Sequence, residues 1–160
     1  MSLPELLPES SPELLPLSRR ATLALGLGAL LSACGARPKT PTGPAEINRL
    51  VSKYARIYDI PESLIHETIA RESGYNPAAR NGPYYGLMQI NPQTARTMGY
   101  RGDPAGLLDA ETNLIYAGKY LRGAWLVSRK NKARAHMWYR KGYYYEAKRM
   151  GLLEETGLKA

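Results

Sequence analysis

After residue 44, the apolar residues of this chain recur at intervals of three and four and rarely alternate with polar residues. This spacing places them on one face of an α-helix, whereas a half-buried strand requires an apolar residue at every second position. No alternating segment of useful length occurs, and the sequence has no internal repeat. The pattern therefore predicts an all-α domain.

Capping residues divide the periodic sequence into six predicted helices. Asn91 before Pro92, and Asp109, are typical of helix starts, because their side chains can accept from the first backbone N–H groups. Gly74 and Gly99 are typical of helix ends, since glycine enters the left-handed conformation without penalty. The predicted helices run from Ala45 to Tyr58, from Pro61-Glu62 to Gly74, from Pro92 to Gly99, from Asp109 past Trp125, from Ala133 to Arg140 and from Tyr144 to Met150.

The apolar positions of these helices predict the core, and Gly118 should allow two helices to approach closely. Two irregular segments, residues 74–86 and 99–108, are long enough to be binding loops. The expected core positions are Ile47, Leu50, Val51, Tyr54 and Ile57 in the first helix, Leu64, Ile65, Thr68 and Ile69 in the second, Leu114, Ala117, Gly118, Leu121 and Trp125 in the fourth, and Trp138 in the fifth.

An acidic residue, Glu72, lies on the apolar face of the second predicted helix. It comes seven residues after Ile65 and three after Ile69, so its carboxylate leaves the helix from that face. Such a glutamate can turn out to solvent. It can also remain half-desolvated, which favours its neutral form and makes it a proton donor near neutral pH. Helical position alone leaves both possibilities open.

Glu67 differs from Glu72 in its placement on the same helix. It lies five residues earlier, which is about 140° around a helix of 3.6 residues per turn. We therefore expect Glu67 to face away from Glu72 and to pair with Arg71, four residues further along.

The first 44 residues have the composition of an export signal and a tether. Arg19 and Arg20 precede an apolar run over residues 21–33, too short to span a bilayer but suited to a signal peptide. Leu31 to Cys34 resembles a bacterial lipobox, in which the cysteine is lipidated, and the arginine pair resembles a twin-arginine signal. We predict a signal peptide with lipobox over residues 1–34, a flexible linker over 35–44 and a folded domain over 45–155.

These features predict an exported domain, lipid-anchored through Cys34 on the periplasmic side of a membrane. Gly35, rather than an aspartate, follows the cysteine, which favours the outer membrane over the inner. With no second cysteine in the chain, packing rather than disulfides must hold the domain together. A chance free thiol is the alternative reading of Cys34.

The chain is basic, with a formal net charge of +8 over 160 residues. Removal of residues 1–33 would delete two arginines and three glutamates and raise that charge to +9. Such a surplus favours a polyanionic partner such as anionic lipid, cell-wall polymer or nucleic acid. The export signal and the lack of groove-reading motifs argue against nucleic acid.

Residues 70–100, ARESGYNPAARNGPYYGLMQINPQTARTMGY, resemble the lytic transglycosylases of the soluble (SLT) type, which share the lysozyme-like fold. The resemblance covers about residues 46 to 142. Asn81 stands where the family usually has a serine, and Arg140 where it usually has an asparagine. The matching positions are Glu72-Ser73, Tyr75-Asn76-Pro77, Gly86 to Ile90, Thr94-Ala95, Asn113, Gly118, Leu121, Tyr139 and Gly142.

The resemblance implies a peptidoglycan lytic transglycosylase with a lysozyme-like all-α fold, acting on glycan strands. It identifies Glu72 as the catalytic acid, in agreement with the helical-face argument. It implies no cofactor and no metal. The substrate-binding residues that we expect from it are Ser73, Asn81, Tyr85, Met88, Gln89, Tyr116 and Tyr139.

Most glycosidases need two carboxylates, but this sequence offers no convincing second one. Glu67 is expected to face away, Asp109 is explained as a helix cap, and Asp103 and Glu111 have no motif around them. The family is understood to use a single glutamate as acid and then base, which forms a 1,6-anhydro product. A hydrolytic lysozyme of the same fold and a non-catalytic wall-binding lipoprotein are the alternatives.

Other side chains have less specific interpretations. His66 and His136 have no partners at metal-ligand spacing and are expected to be structural. The tyrosine clusters at residues 84–85 and 143–145 could stack on sugar rings or lie at the rim of the core. Gly86 is expected to allow close backbone approach.

Overall fold

The computed structural model describes residues 43–158. Over this range the chain is mostly helical, so the all-α prediction is confirmed. The predicted signal peptide with Cys34, and the linker up to residue 42, lie outside the described residues. The elements are α1 (Ala45–Tyr58), α2 (Glu62–Glu72), β1 (Arg80–Asn81), β2 (Tyr84–Tyr85), α3 (Pro92–Thr97), a 3₁₀ helix (Pro104–Leu108), α4 (Ala110–Val127), α5 (Lys132–Lys141) and α6 (Tyr144–Met150).

Helix α4 lies at the centre of the domain and packs against α1, α3, α5, α6 and the 3₁₀ helix. Leu114, Ala117 and Leu121 are completely buried along it, as their spacing predicts. Gly118 allows the close approach predicted for it, because a Cβ there would lie 2.8 Å from the ring of Tyr58 on α1. The core is therefore organised around one long helix with few exposed positions.

Ile57 is the one predicted core residue of α1 that is wrong, since 59% of it is exposed. Tyr58 takes its place in the last turn. Its ring stacks on Tyr54 at 5.9 Å, and its hydroxyl donates to the backbone oxygen of Ile115 at 2.6 Å. Ile57 is about 100° around the helix from Tyr58 and therefore points away from α4.

The caps predicted at Asn91 and Asp109 form. The Asn91 side chain accepts from the backbone N–H of Gln93 at 2.8 Å, and the Asp109 side chain accepts from Thr112 at 2.7 Å. Asp59, a small acidic residue before Pro61 that is also typical of a helix start, does not cap α2: it ends α1 in the left-handed conformation, and α2 begins after Pro61 without a side-chain cap. Gly74, with φ +58°, follows the end of α2 in the left-handed conformation. Helix α5 starts one residue earlier than expected, because Asn131 caps it.

The two irregular segments differ in what they do. Residues 74–86 hold a hairpin in which β1 pairs antiparallel with β2, too short to show a strand pattern in the sequence. Residues 99–108 contain the 3₁₀ helix, which packs on α4 and buries Leu107 completely. That residues 99–108 form a binding loop stays a prediction, because Leu107 packs in the core whereas residues 101–103, 105 and 106 are exposed.

The two tryptophans lie where expected, Trp125 in the core and Trp138 partly buried against it. Among residues 43–158, none of the helices combines the length and the apolarity that a bilayer crossing requires.

Candidate active site

Glu72 is the last residue of α2, where the buried face of that helix meets the surface. Leu64, Ile65 and Ile69 on that face are completely buried, and Glu72 itself is half-buried. Its side chain lines a cleft of about 440 Å³. The residues that line this cleft are Arg71, Glu72, Asn81, Tyr84, Gln89, Tyr139 and Arg140.

The environment of Glu72 favours its neutral form. Burial raises the pKa of the carboxyl above its ordinary value, and the charges of Arg140 and Arg71 only partly oppose that effect. No hydrogen bond or ion pair within residues 43–158 engages the carboxyl group. Glu72 can therefore hold a proton at a higher pH than an exposed glutamate and present it to a molecule in the cleft.

Glu67 is bound on the other side of α2 and does not line the cleft. Lys132 Nζ donates to its Oε1 at 2.6 Å, and His136 Nε2 lies 3.2 Å from its Oε2. The expected ion pair between Glu67 and Arg71 is wrong, because Lys132 and His136 on α5 bind the Glu67 carboxylate instead. Burial raises the pKa of Glu67, but the hydrogen bonds from Lys132 and His136 outweigh it and leave the pKa below its ordinary value.

Gln89 lines the cleft in a strained conformation. Its backbone has φ +48°, which is unusual for a residue with a Cβ. Its Nε2 donates to the backbone oxygens of Ala79 and Gly86, at 3.1 and 2.8 Å. Its buried Oε1 has no hydrogen-bond partner within residues 43–158. Backbone strain and an unpaired buried acceptor are both costly, and they are common where a side chain is held for function.

The loop that carries Gln89 is fixed to α4 by Asn113. The buried Asn113 amide donates to the backbone oxygens of Tyr85 and Leu107, both at 2.8 Å, and accepts from Met88 N at 2.9 Å. Gly86, with φ +75°, fits against this amide, where a Cβ would collide with the Asn113 side chain and the Leu107 oxygen. The predicted close approach at Gly86 is confirmed.

Tyr139, Met88 and Ser73 connect the helices to the same loop. The Tyr139 hydroxyl donates to Met88 O at 2.8 Å, and the Ser73 hydroxyl donates to Leu87 O at 2.7 Å. Burial, and then the charge of Glu72, raise the pKa of Tyr139 well above its ordinary value. Met88 is completely buried and does not line the cleft. Met88 and Ser73 therefore contribute to the shape of the cleft.

Four of the predicted site residues line the cleft together, namely Glu72, Asn81, Gln89 and Tyr139. Two others do not. The guanidinium of Arg80 covers the ring of Tyr85, 4.6 Å from its centroid, and the ring of Tyr116 packs against Tyr100 at 4.9 Å.

Sequence reasoning missed the contributions of Arg71 and Arg140 to the cleft and the bridging role of Asn113. In the sequence, Arg140 differs from the residue usual in the family at that position, and Asn113 matches the family, but neither fact indicates its role in the cleft. A polar amide among the apolar residues of α4 was the available signal for Asn113.

The tyrosine clusters divide between core and surface. Tyr84 is exposed and lines the cleft, whereas Tyr143 is buried with its hydroxyl donating to Tyr120 O at 2.9 Å. Tyr144 and Tyr145 are exposed outside the cleft.

The histidines have protein partners rather than a metal-site arrangement. Nδ1 of His66 lies 2.9 Å from the Tyr75 hydroxyl, and His136 is bound to Glu67. Within the part of the chain that the structure describes, no group of three or more His, Cys, Asp or Glu is arranged to hold a metal ion.

The segment that contains this cleft matches a known protein family. No solved structure matches the chain significantly. The family model described as transglycosylase SLT domain matches residues 49–149, a segment that contains Glu72 and every other residue lining the cleft. Because the match covers well over half of the chain, the protein belongs to the SLT family of lytic transglycosylases, which have a lysozyme-like fold and act as glycosidic-bond lyases on peptidoglycan.

Proposed function

We propose that this protein cleaves the β-1,4 bond between N-acetylmuramic acid (MurNAc) and N-acetylglucosamine in peptidoglycan, with formation of 1,6-anhydro-MurNAc. Glu72 acts as the sole general acid and base. The proposal goes beyond family membership in naming the bond, the product and the residue.

One observation carries this proposal. Glu72 is the only acidic side chain among the described residues that line the cleft, and its pKa is raised by burial. Hydrolysis with two carboxylates requires a second acidic group across the scissile bond, to act as nucleophile or to activate water. A mechanism with one carboxyl group needs none, because the nucleophile is a hydroxyl of the substrate.

The reaction begins with proton transfer from the neutral Glu72 to the glycosidic oxygen as the bond from that oxygen to C1 of MurNAc breaks. The 2-acetamido group of the same sugar stabilises the positive charge at C1. The ionised Glu72 then takes the proton of the C6 hydroxyl as O6 bonds to C1. The ring closes, Glu72 is neutral again, and no water is consumed.

Tyr139 and Arg140 assist Glu72 in different ways. The Tyr139 hydroxyl is committed to Met88 O, so its ring serves as a fixed wall beside the carboxyl group. The Arg140 guanidinium stabilises the carboxylate that exists between the two proton transfers. The cleft therefore supports both protonation states that the cycle requires.

The test is mass spectrometry of the muropeptides that the purified protein releases from sacculi. We expect products ending in 1,6-anhydro-MurNAc. Products ending in reducing MurNAc, heavier by one water, would make the protein a hydrolytic lysozyme. Binding to sacculi without any released product would make it a non-catalytic wall-binding protein.

We further propose that the mature protein is a lipoprotein of the outer membrane, held through Cys34 on the periplasmic side. The lipobox-like residues before Cys34 and the proline-rich segment after it support this location. Cys34→Ala should move the protein from the membrane fraction to the soluble fraction while activity on sacculi remains. A variant that stays in the membrane fraction would contradict the lipid anchor.

A further inference from the structure

A second pocket adjoins the cleft on the side of α5. It has a volume of about 330 Å³. Arg71 and Arg140 line both the cleft and this pocket, so the two form one continuous depression. We call the second one the side pocket; its lining residues are Arg71, Ala133, His136, Met137, Arg140 and Lys141.

The side pocket is strongly basic and contains no acidic side chain among its described lining residues. Arg71, Arg140 and Lys141 are exposed, and within residues 43–158 none of their side chains has a carboxylate within ion-pair distance or makes a hydrogen bond. By contrast, Lys132 on the same α5 is bound to Glu67 at 2.6 Å. The three cations of the side pocket are thus available to an anionic ligand.

The fourth polar group of the side pocket, His136, adds no positive charge at neutral pH. Burial lowers its pKa below the ordinary value of 6.5, and the charge of Arg71 lowers it further against the opposing effect of Glu67. Its Nε2 is engaged with Glu67, and its Nδ1 lies 3.4 Å from the Thr68 hydroxyl. His136 therefore contributes a neutral imidazole that is held in place by Glu67, and binding of an anionic ligand depends on Arg71, Arg140 and Lys141.

We infer that the side pocket binds a carboxylate of the stem peptide carried by the substrate, so that the protein prefers peptide-bearing glycan strands to bare ones. This inference rests on the proposed function, since it takes the cleft beside Glu72 as the site of glycan cleavage. Two guanidinium groups suit a carboxylate, because their paired N–H donors match its two oxygens.

The chemistry of the substrate explains why the ligand is a peptide carboxylate. The sugars of a strand are uncharged where the lactyl group of MurNAc is joined to its peptide, so the fixed negative charges lie on the peptide. The bond that Glu72 cleaves follows MurNAc, the peptide-bearing sugar. A complex with a peptide-bearing strand therefore holds a stem peptide next to the cleft. Because the cleft and the side pocket share Arg71 and Arg140, this peptide can extend from one into the other.

The test measures binding rather than turnover and uses the full-length chain carrying Glu72→Gln, so that strands are not cleaved. Fluorescently labelled soluble glycan strands are prepared in two forms, one with stem peptides and one stripped of them by an amidase. The amidase frees the lactyl carboxylate of each MurNAc, so this group is then capped as a methyl amide to leave the stripped strands uncharged. Kd is measured for both by anisotropy. The test variant adds Lys141→Gln, because Lys141 lines the side pocket but not the cleft, and leaves Arg71 and Arg140, which line both, unchanged.

A matched control adds Lys130→Gln to the same background. Lys130 is exposed after the end of α4 and lines neither the cleft nor the side pocket. The control loses the same net charge as the test variant. It therefore measures how much binding comes from general attraction between a basic protein and an acidic strand.

We expect the test variant to bind peptide-bearing strands about tenfold more weakly, the scale of one charge-assisted hydrogen bond. Binding of peptide-free strands should change no more than in the control. Equal losses on both strand types, equal losses in test and control variants, or no loss would each overturn the inference. Lys141→Met, which also removes the charge, repeats the comparison if thermal melting shows that Lys141→Gln disturbs the fold.

Turnover by the wild-type chain on the same two strand preparations separates this inference from the proposed function. If the wild type cleaves neither preparation while the peptide-dependent binding is present, the proposed function fails and the side pocket stands as a peptide-binding site. If the wild type releases anhydro products and binding shows no peptide dependence, the function stands and the side pocket inference fails.

Discussion

Two glutamates five residues apart on α2, Glu67 and Glu72, have opposite environments. Glu67 is held by Lys132 and His136, which lower its pKa. Glu72 has no such partner among the described residues, and burial raises its pKa. The environment of Glu67 favours its ionised form, and that of Glu72 favours its protonated form. The same residue type on one helix thus serves structure at one position and, as we propose, chemistry at the other.

The difference shows that burial alone does not decide the protonation of a carboxyl group. Burial raises the pKa of both glutamates, but only Glu67 gains hydrogen bonds that stabilise its ionised form. The number of donors that reach each carboxylate is what separates them. Five predictions test this difference between the two glutamates and the site around them.

Glu72→Gln should lower turnover on sacculi by at least about 100-fold, the usual contribution of a positioned proton-transfer group. Thermal stability should be unchanged or slightly raised, because the amide avoids the cost of a desolvated carboxylate. Muropeptide release and thermal melting measure the two effects. Glu67→Gln is the control and should leave turnover near wild type. The opposite pattern of activities would show that the assignment of the acid is wrong.

Gly86→Ala should disturb the loop that carries Gln89 into the cleft and leave the Glu67 contacts intact. The added Cβ meets the Asn113 side chain and the Leu107 oxygen at a positive φ, and we expect a loss of about 2 kcal/mol or more in unfolding free energy. Gly82→Ala is the control: its φ is also positive, but nothing lies within 4 Å, so only about 1 kcal/mol of strain is expected. Denaturant unfolding should rank the two; equal losses would contradict the collision at Gly86.

Glu67→Gln should lower the free energy of unfolding by about 1 kcal/mol at neutral pH, the upper range for a partly exposed ion pair. Because the folded pKa of Glu67 lies below its ordinary value of 4.5, the stabilisation is present above that pH and is lost as pH falls through the folded pKa. The difference in Tm between variant and wild type should therefore shrink in acid.

Glu72→Gln should show the opposite sign in the same melting series. The folded pKa of Glu72 is raised, so its ionisation costs stability as pH rises above the ordinary value. Any gain in Tm from the amide should be absent in acid and present at neutral pH. A gain that is constant with pH would mean that desolvation of the carboxylate is not its cause.

Arg140→Gln should cause the smallest change, a shift in the pH profile of kcat/KM. The Arg140 charge lowers the pKa of Glu72, so its removal lets that pKa rise. Because the first step needs the protonated acid, the alkaline limb of the profile should move to higher pH. Arg71→Gln should move it the same way by less, and Arg129→Gln should leave it in place. A shift to lower pH would contradict the role of Arg140.

Most of the helical architecture was predictable, because the signals for it are local. Capping at Asn91 and Asp109 involves residues two or three positions apart. The hairpin at residues 80–85 and the 3₁₀ helix at 104–108 were missed, since elements this short have no periodicity. Ile57 was misplaced because Tyr58 filled the contact with α4.

The position of a site residue was predictable where it depends on the geometry of one helix. It was not predictable where it depends on contacts between several segments. That Glu72 leaves α2 from its apolar face follows from the sequence, because helical geometry relates it to Ile65 and Ile69. The contacts of Glu67 with Lys132, 65 residues away, and of Tyr139 with Met88, 51 residues away, arise only from the tertiary packing. It also brought Arg140 beside Glu72 and turned the Met88 side chain into the core. Such contacts depend on how whole helices and loops pack, whereas helical periodicity and capping act over only a few residues.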